Sequence, residues 1–162
     1  MLKASSALIS AKPYVSNLLT IVDAPDFTLT QYAGSDKDLK NALGKLPLRV
    51  GVVLDGLMRV SLTQIWSLNE AVEAPNCFIT PLSSSRTRIE ISGAPARDVL
   101  AKCAAIDFHK NEFKPSTFAM TGIHHVPVLI HCVAGEIFHL YVLRTFALSI
   151  WDHIKDAALE FE

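Results

Sequence analysis

Short alternating runs dominate the pattern of apolar and polar residues, with helical spacing in only a few windows. Phe27, Leu29 and Gln31 alternate with Thr28, Thr30 and Tyr32, which predicts a strand of period two. Ser35 is placed to cap a short helix with Asp36 and Asp38 in its first turn; Leu39, Ala42 and Leu43 form its apolar stripe, and Gly44 and Pro47 end it. Arg49 to Leu54 reads as a strand, and Asp55-Gly56 as a tight hairpin turn, because both turn positions of that type need positive φ. Leu57 to Leu62 returns, and the apolar run continues to Trp66 and Leu68. Residues 69–75 are polar, contain a proline and read as a loop, followed by strands at Cys77–Leu82 and Arg86–Ile91. Ser92-Gly93-Ala94-Pro95 opens a helix, capped by Ser92 or Gly93, whose Ala96, Val99, Leu100 and Cys103 follow helical spacing. After a loop at 104–116 the pattern predicts strands at Phe118–Ile123, Val126–Val133 and Ile137–Leu143. A last helix starts near Thr145, with Phe146, Ile150, Ile154, Ala157 and Phe161 as its buried stripe and Trp151 widening it.

This order excludes a doubly wound parallel sheet, which would need repeated βα units. It predicts an α+β fold, a mostly antiparallel sheet with helices on one face. A βαββ start followed by βαβββα reads as two related halves, an internal βαββ pseudo-repeat. Residues 1–162 are expected to form a single domain, with the weakly patterned residues 1–25, which contain Pro13 and Pro25, as an N-terminal arm packed on something else.

Composition changes the picture in one respect. Half of the residues are hydrophobic, 19% are charged and the mean hydropathy is +0.30, which excludes disorder and leaves more apolar side chain than one small core needs. The surplus points to a covered interface or a membrane. The longest stretch without Asp, Glu, Lys or Arg, Pro115 to Gly135, is broken by Gly122, His124, His125, Pro127 and His131 and reads as two strands and a turn, not as a membrane span. The apolar patch Ala7–Ala11 is too short for a secretory signal, so the expected location is cytoplasmic. Net charge is −1 with no basic block, which argues against nucleic-acid binding.

Candidate chemistry is sparse. The chain has no phosphate-binding glycine loop, no nucleophile elbow and no HExxH. Cys77, Cys103 and Cys132 are far apart and odd in number, so buried thiols are expected. His131 and His139 face each other if residues 134–136 form the turn between their strands, but two ligands do not make a metal site. Asp107 and His109 are two apart and serve either to order their loop or as an acid–base pair. Arg144 sits just before a helix N-terminus, where a cation is disfavoured; Asp98, Asp107 or a carboxylate on another chain is expected to compensate, unless the arginine is simply exposed. Ser83-Ser84-Ser85 with Arg86 and Arg88 reads either as an anion cradle or as a turn into an edge strand.

From Pro81 onward the residues PLSSSRTRIEISGAPARDVLAKCAAIDFH, AMTGIHHVPVLIH and FHLYVLRTFALSIWDHI resemble the gamma subunit family of heterotetrameric sarcosine oxidase. The matching features are Ser83–Arg86 as a turn into a strand, Gly93 with Ala96-Arg97-Asp98, the loop Ile106–His109, Ala119–Thr121, Pro127–His131, and Leu140–Ala147 with Trp151. The first half matches through Phe27–Ala33, Leu46-Pro47 and Trp66. Departures are Leu62–Leu68, which keeps only Trp and Leu of a G-P-D-E-W-L motif, and Lys102–Ala105, which lacks the Gly and Pro of a K-G-C-P loop. The resemblance implies an aminomethyltransferase-like fold and an accessory role with no catalytic, cofactor-binding or metal-binding residues in this chain. It implies alpha, beta and delta partner subunits that carry FAD, FMN, NAD and zinc. The complex would demethylate sarcosine oxidatively to glycine and pass the one-carbon unit to tetrahydrofolate. A related N-methyl amino acid dehydrogenase, a stand-alone folate-binding protein with Glu90, Asp98 or Asp107 as its carboxylate, and a homo-oligomeric structural protein are the other readings. Candidate partner-interface residues are Trp66, Arg86, His109, Arg144 and Trp151. In isolation the chain is expected to self-associate through surfaces its partners bury.

Overall fold

A computed structural model describes residues 5–161. The elements are β1 (Tyr14–Val15), β2 (Leu19–Asp23), β3 (Thr30–Ala33), α1 (Asp36–Leu43), β4 (Val53–Leu54), β5 (Leu57–Ser61), β6 (Gln64–Ser67), β7 (Phe78–Pro81), β8 (Arg86–Gly93), α2 (Ala96–Cys103), β9 (Thr117–Ile123), β10 (Val126–Ala134), β11 (Ile137–Leu143) and α3 (Ala147–Ala158). The local signals act as their chemistry dictates. The Ser35 hydroxyl accepts from the Asp38 N–H and starts α1, and Gly44 at φ 75° ends it. Asp55 and Gly56 both take positive φ between the paired Leu54 and Leu57.

The strands form two antiparallel sheets where the sequence pattern led us to expect one. One has the order β1-β2-β8-β11-β10-β9 and the other β4-β5-β6-β3-β7. Alternation along a strand says which residues share a face; it does not say which strands pair, so the division into two sheets is invisible in it. The two halves have the same connectivity. β3-α1-β4-β5-β6 is laid out β4-β5-β6-β3, and β8-α2-β9-β10-β11 is laid out β9-β10-β11-β8. The second half thus repeats the first, with one strand more than the βαββ unit read in the sequence.

Packing follows the strand faces. Val128, Ile130 and Cys132 of β10 and Phe138, Leu140 and Val142 of β11 lie in one cluster with Val99 and Leu100 of α2 and Ile150, Trp151 and Ile154 of α3. The intervening Leu129 and Tyr141, with Phe118 of β9, pack against Leu29, Met58 and Trp66 of the other sheet. The outer face of that second sheet buries Tyr32, Leu57 and Ile65 against Leu39 of α1. The result is four layers, helix–sheet–sheet–helix. Among the described residues no helix is long and apolar enough to cross a membrane.

Several local expectations differ from the structure, among them the strand expected at Arg49–Leu54, which is confined to Val53–Leu54. Residues 14–23, read as part of an arm, supply β1 and β2, and Leu19 and Ile21 belong to the main core. Their strands are short and flanked by prolines, so no period is visible. Phe146, expected in the buried stripe, is 46% exposed. The terminal helical segment opens with a tighter 3-10 turn at Arg144–Phe146, which shifts the phase, and the buried stripe of α3 is Ala147, Ile150, Trp151, Ile154 and Ala158. Ser92 and Gly93, expected as caps of α2, instead end β8; Pro95 holds the cap position without a side-chain bond.

Gly93 has a different role. Its φ is 128°, and a Cβ there would lie 2.1 Å from the Leu18 carbonyl oxygen, because β2 begins opposite it, with Leu19 paired to Gly93. Gly93→Ala is expected to destabilise the fold by about 3 kcal/mol or more, since the backbone region alone costs roughly 1–3 kcal/mol. Gly135→Ala, with nothing within 4 Å of the added carbon, is expected to be near neutral. Urea midpoints of the two variants against the parent chain check the contrast.

Candidate functional site

Arg86 opens β8 and Leu143 closes β11, and the two residues are paired across the sheet. Arg144, one step further on, is therefore brought to the start of β8, where its N–H donates to the Ser85 carbonyl at 3.0 Å. Just ahead of β8, residues 82–85 form a turn held by Ser85 N–H to Leu82 O (3.0 Å) and Arg86 N–H to Leu82 O (3.1 Å). The Ser83 hydroxyl ties this turn to the other sheet by accepting from the Leu29 N–H at 2.9 Å. At this end of the sheets a cleft of about 470 Å³ opens, with Asp23, Phe27, Ser84, Arg86, Arg88 and Arg144 among its walls.

The three arginines are held differently. Arg88 donates to the backbone carbonyls of Ala24 (3.1 Å) and Asp26 (2.9 Å) and lies 5.1 Å from the Phe27 ring centroid, so it fastens the 24–27 segment to β8. Arg144 donates to the Ser5 carbonyl. Among the described residues Arg144 forms no ion pair with Asp98 or Asp107. Arg86 lies 5.4 Å from the centroid of Trp66, whose indole N–H donates to Gln31 Oε1 at 2.9 Å. Burial pushes the Arg86 guanidinium below its ordinary pKa. Among the described residues Arg86 belongs to none of the ion pairs, and its buried Nε has no hydrogen-bond partner. Asp23 Oδ1 and Thr87 Oγ1, from residues in the walls of the same cleft, are also buried without a partner.

A second polar group crosses the first sheet on the face opposite α2 and α3. Glu90 of β8 pairs with His139 of β11, which pairs with His131 of β10. The register that would set the two histidines opposite each other is the one observed. His139 Nε2 lies 3.1 Å from Glu90 Oε2, and the two imidazoles are 6.3 Å apart by centroid. Burial lowers the pKa of His139, and it takes that of His131 down to about 4, with the neighbouring His139 contributing. His124 and His125 form the β9–β10 turn, both at positive φ, and the His124 ring lies 5.2 Å from that of His153 by centroid, tilted by 50°. Among the described residues no group of three or more His, Cys, Asp or Glu side chains is arranged to hold a metal ion.

Of the five interface candidates, Trp66, Arg86 and Arg144 gather at this end of the sheets. Trp66 is buried between the sheets beneath Arg86, so it acts as a support and presents no surface of its own. Trp151 is 2% exposed and fills the main core under α3. His109 lies apart, in an exposed loop beside a shallow cleft of about 460 Å³ whose walls include Arg97, Asp98 and Asp107. Asp107 Oδ1 accepts the His109 backbone N–H at 2.8 Å, and His109 Nδ1 accepts from Asn111 N–H at 3.3 Å. These bonds order the loop and leave no acid–base pair. The loop is further tied down by Arg97, which donates to the carbonyls of Phe108 (2.7 Å), Phe113 (3.0 Å) and Gly135 (2.6 Å). The alternative carboxylates for a pterin are dispersed, with Glu90 engaged by His139 and Asp98 and Asp107 at the shallow cleft. Sequence reasoning missed the contribution of Asp23 and Thr87. Asp23 lies 63 positions before Arg86 and is brought in only by strand pairing.

Comparison with known proteins adds the family. Residues 64–160 match the sarcosine oxidase, gamma subunit family. No curated protein sequence matches at a significant level. Among solved structures, a heterotetrameric sarcosine oxidase from Corynebacterium sp. U-96, in complex with pyrrole 2-carboxylate, has a chain similar to this one with TM-score 0.80 and 20% identity, over 96% of this chain and 91% of that one. The glycine cleavage system aminomethyltransferase T from Bartonella henselae is similar with TM-score 0.57 and 15% identity, over 85% of this chain and 45% of that one. The fold is thus aminomethyltransferase-like, as the sequence motifs implied. The family match spans more than half of the chain, and the chain belongs to the sarcosine oxidase, gamma subunit family.

The buried His131 makes stability depend on pH. Its folded pKa of about 4 lies below the ordinary 6.5, so between those values the unfolded chain takes up a proton that the folded chain refuses. This contribution is complete above pH 6.5 and is lost as pH falls toward 4. The expected loss is on the order of 2–3 kcal/mol. Urea midpoints between about pH 7 and about pH 4.5 are expected to fall less steeply for His131→Leu than for the parent chain.

Proposed function

We propose that this chain is a non-catalytic accessory subunit of a sarcosine-oxidase-type heterotetramer. The observation that carries the reading is membership of the gamma subunit family over residues 64–160. The similarity in fold to a chain of a heterotetrameric sarcosine oxidase along nearly the whole length supports it. In this reading residues 1–162 act as a single domain in the cytoplasm, with alpha, beta and delta subunits as partners. Those subunits hold the FAD, FMN, NAD and zinc. The complex demethylates sarcosine oxidatively to glycine and transfers the one-carbon unit to tetrahydrofolate.

The chemistry of the candidate groups agrees with an accessory role. Burial raises the Cys103 thiol to about 11 and also raises that of Cys132, which makes both poor nucleophiles at neutral pH. Asp107 and His109 are committed to their loop. The surface carries large apolar side chains that a free monomer gains nothing from exposing. Leu48 is 99% exposed, Phe78 83% and Leu62 76%. Phe78 lies on β7, an edge strand of its sheet.

Light scattering tests the assignment. Expressed alone, the chain is expected to self-associate with rising concentration; co-expressed with alpha, beta and delta subunits, it is expected to run as one species of fixed mass. A monodisperse monomer that ignores those subunits would overturn the reading.

A further inference from the structure

We propose that the cleft at the start of β8 binds one carboxylate group, with Arg86 as its principal cation and Arg144 as the second. The inference goes beyond assembly; the binding of a carboxylate by the chain itself is independent of it, and a partner-derived source of that carboxylate rests on it.

Arg86 is the reason to expect a ligand. Arg86 is half-buried, and a guanidinium partly withdrawn from water carries a free-energy cost that an anion or further acceptors would offset. Arg88, two residues on, shows how this chain settles an arginine internally, with two carbonyls and an aromatic face. Arg86 has the aromatic face alone: Trp66 lies beneath it, its Nε is buried and unpartnered, and none of the ion pairs among the described residues includes it. The Trp66 ring, 5.4 Å from Arg86 by centroid, limits where the guanidinium can sit. Its planar fork is suited to two parallel N–H···O bonds to a carboxylate. Arg144 adds a second positive charge to the same walls, and Ser83 and Ser84 line the turn beside it.

The cleft also limits what the anion can be. Asp23 and Asp26 are also in the walls, so the site has three arginines against two aspartates. That balance favours a singly charged carboxylate over a phosphate or a polyanion, which the two aspartates would repel. A volume of about 470 Å³ takes a small carboxylic acid, and also an Asp or Glu side chain from a partner subunit. Both sources present the same group to Arg86.

Trp66 provides the readout. The chain has two tryptophans, and Trp151 is sealed in the other core, so a change at Arg86 is reported by Trp66 over a constant background. The full chain at low concentration is titrated with acetate, with chloride holding ionic strength constant. The expected result is a saturable change in emission. Arg86→Gln is expected to abolish it, Arg144→Gln to weaken the apparent affinity about fivefold, and the exposed Arg49→Gln to leave it unchanged. The thermal midpoint, read in parallel, should rise with acetate in the parent chain and stay fixed in Arg86→Gln, whose folding is checked by its own cooperative transition. No saturable response in the parent chain, or an equal one in Arg86→Gln, would overturn the proposal. Repeating the titration on the assembled complex separates the sources. A retained response identifies a free small carboxylic acid as the ligand. A response that is lost on assembly identifies a partner's carboxylate already in place.

Discussion

The contact between the two sheets is the constraint on which the rest of this molecule depends. Leu129, Tyr141 and Phe118 from one sheet meet Leu29, Met58 and Trp66 from the other, all buried. Each side chain of this kind contributes about 1.5–3 kcal/mol when taken out of water. Six of them together rival the whole net stability of an ordinary domain, roughly 5–15 kcal/mol. The sheets therefore hold one relation to each other, and Trp66 is fixed within it by its indole bond to Gln31. Arg86 rests on that ring. A charged residue at the surface end of β8 is thus positioned by an apolar layer beneath it, and the cleft inherits the rigidity of the sheet contact.

The repeated βαβββ topology explains why such a layer exists. In each half the fourth strand returns beside the first, β6 beside β3 and β11 beside β8, and each sheet buries one face against its own helix. The second face of each sheet is left apolar, and the two halves satisfy each other by packing these faces together. The second half also carries α3, and β1 and β2 extend its sheet, so its core is the larger. The first half has only α1 on its outer side, and its edge at β7 has no further strand. The exposed Phe78, Leu48 and Leu62 all come from this thinner half. Ile9, Val15, Leu18, Met120 and Leu148, outside that half, are exposed as well, so the surplus of apolar composition is spread over the molecule.

What could be read in the sequence was local. The Ser35 cap, the Asp55-Gly56 turn, the His131–His139 register and the strands from Phe118 onward follow from signals a few residues long, and they appear where expected. The family resemblance came from motifs such as Ala96-Arg97-Asp98, and Arg97 shows why such a motif is recognisable: its guanidinium ties together the 104–116 loop and the β10–β11 turn. Arg144 stood out because a cation just before a helix start is disfavoured, and Arg86 because it follows the Ser83-Ser84-Ser85 turn together with Arg88. Their convergence was hidden, since it depends on β8 pairing with β11 across more than fifty residues. The roles of Trp66 and Trp151 were hidden for the same reason, because only the tertiary fold decides whether a tryptophan faces a partner or a core.

Membership of this chain in a larger flavin-bearing assembly is the central proposal. The most direct test is to purify the tagged chain from its native cell under gentle conditions and record the absorption spectrum and chain ratio of what elutes with it. The account predicts a flavin spectrum that co-elutes with the chain in a fixed ratio to larger subunits. Elution of the chain alone, or only with copies of itself and no flavin, would contradict it.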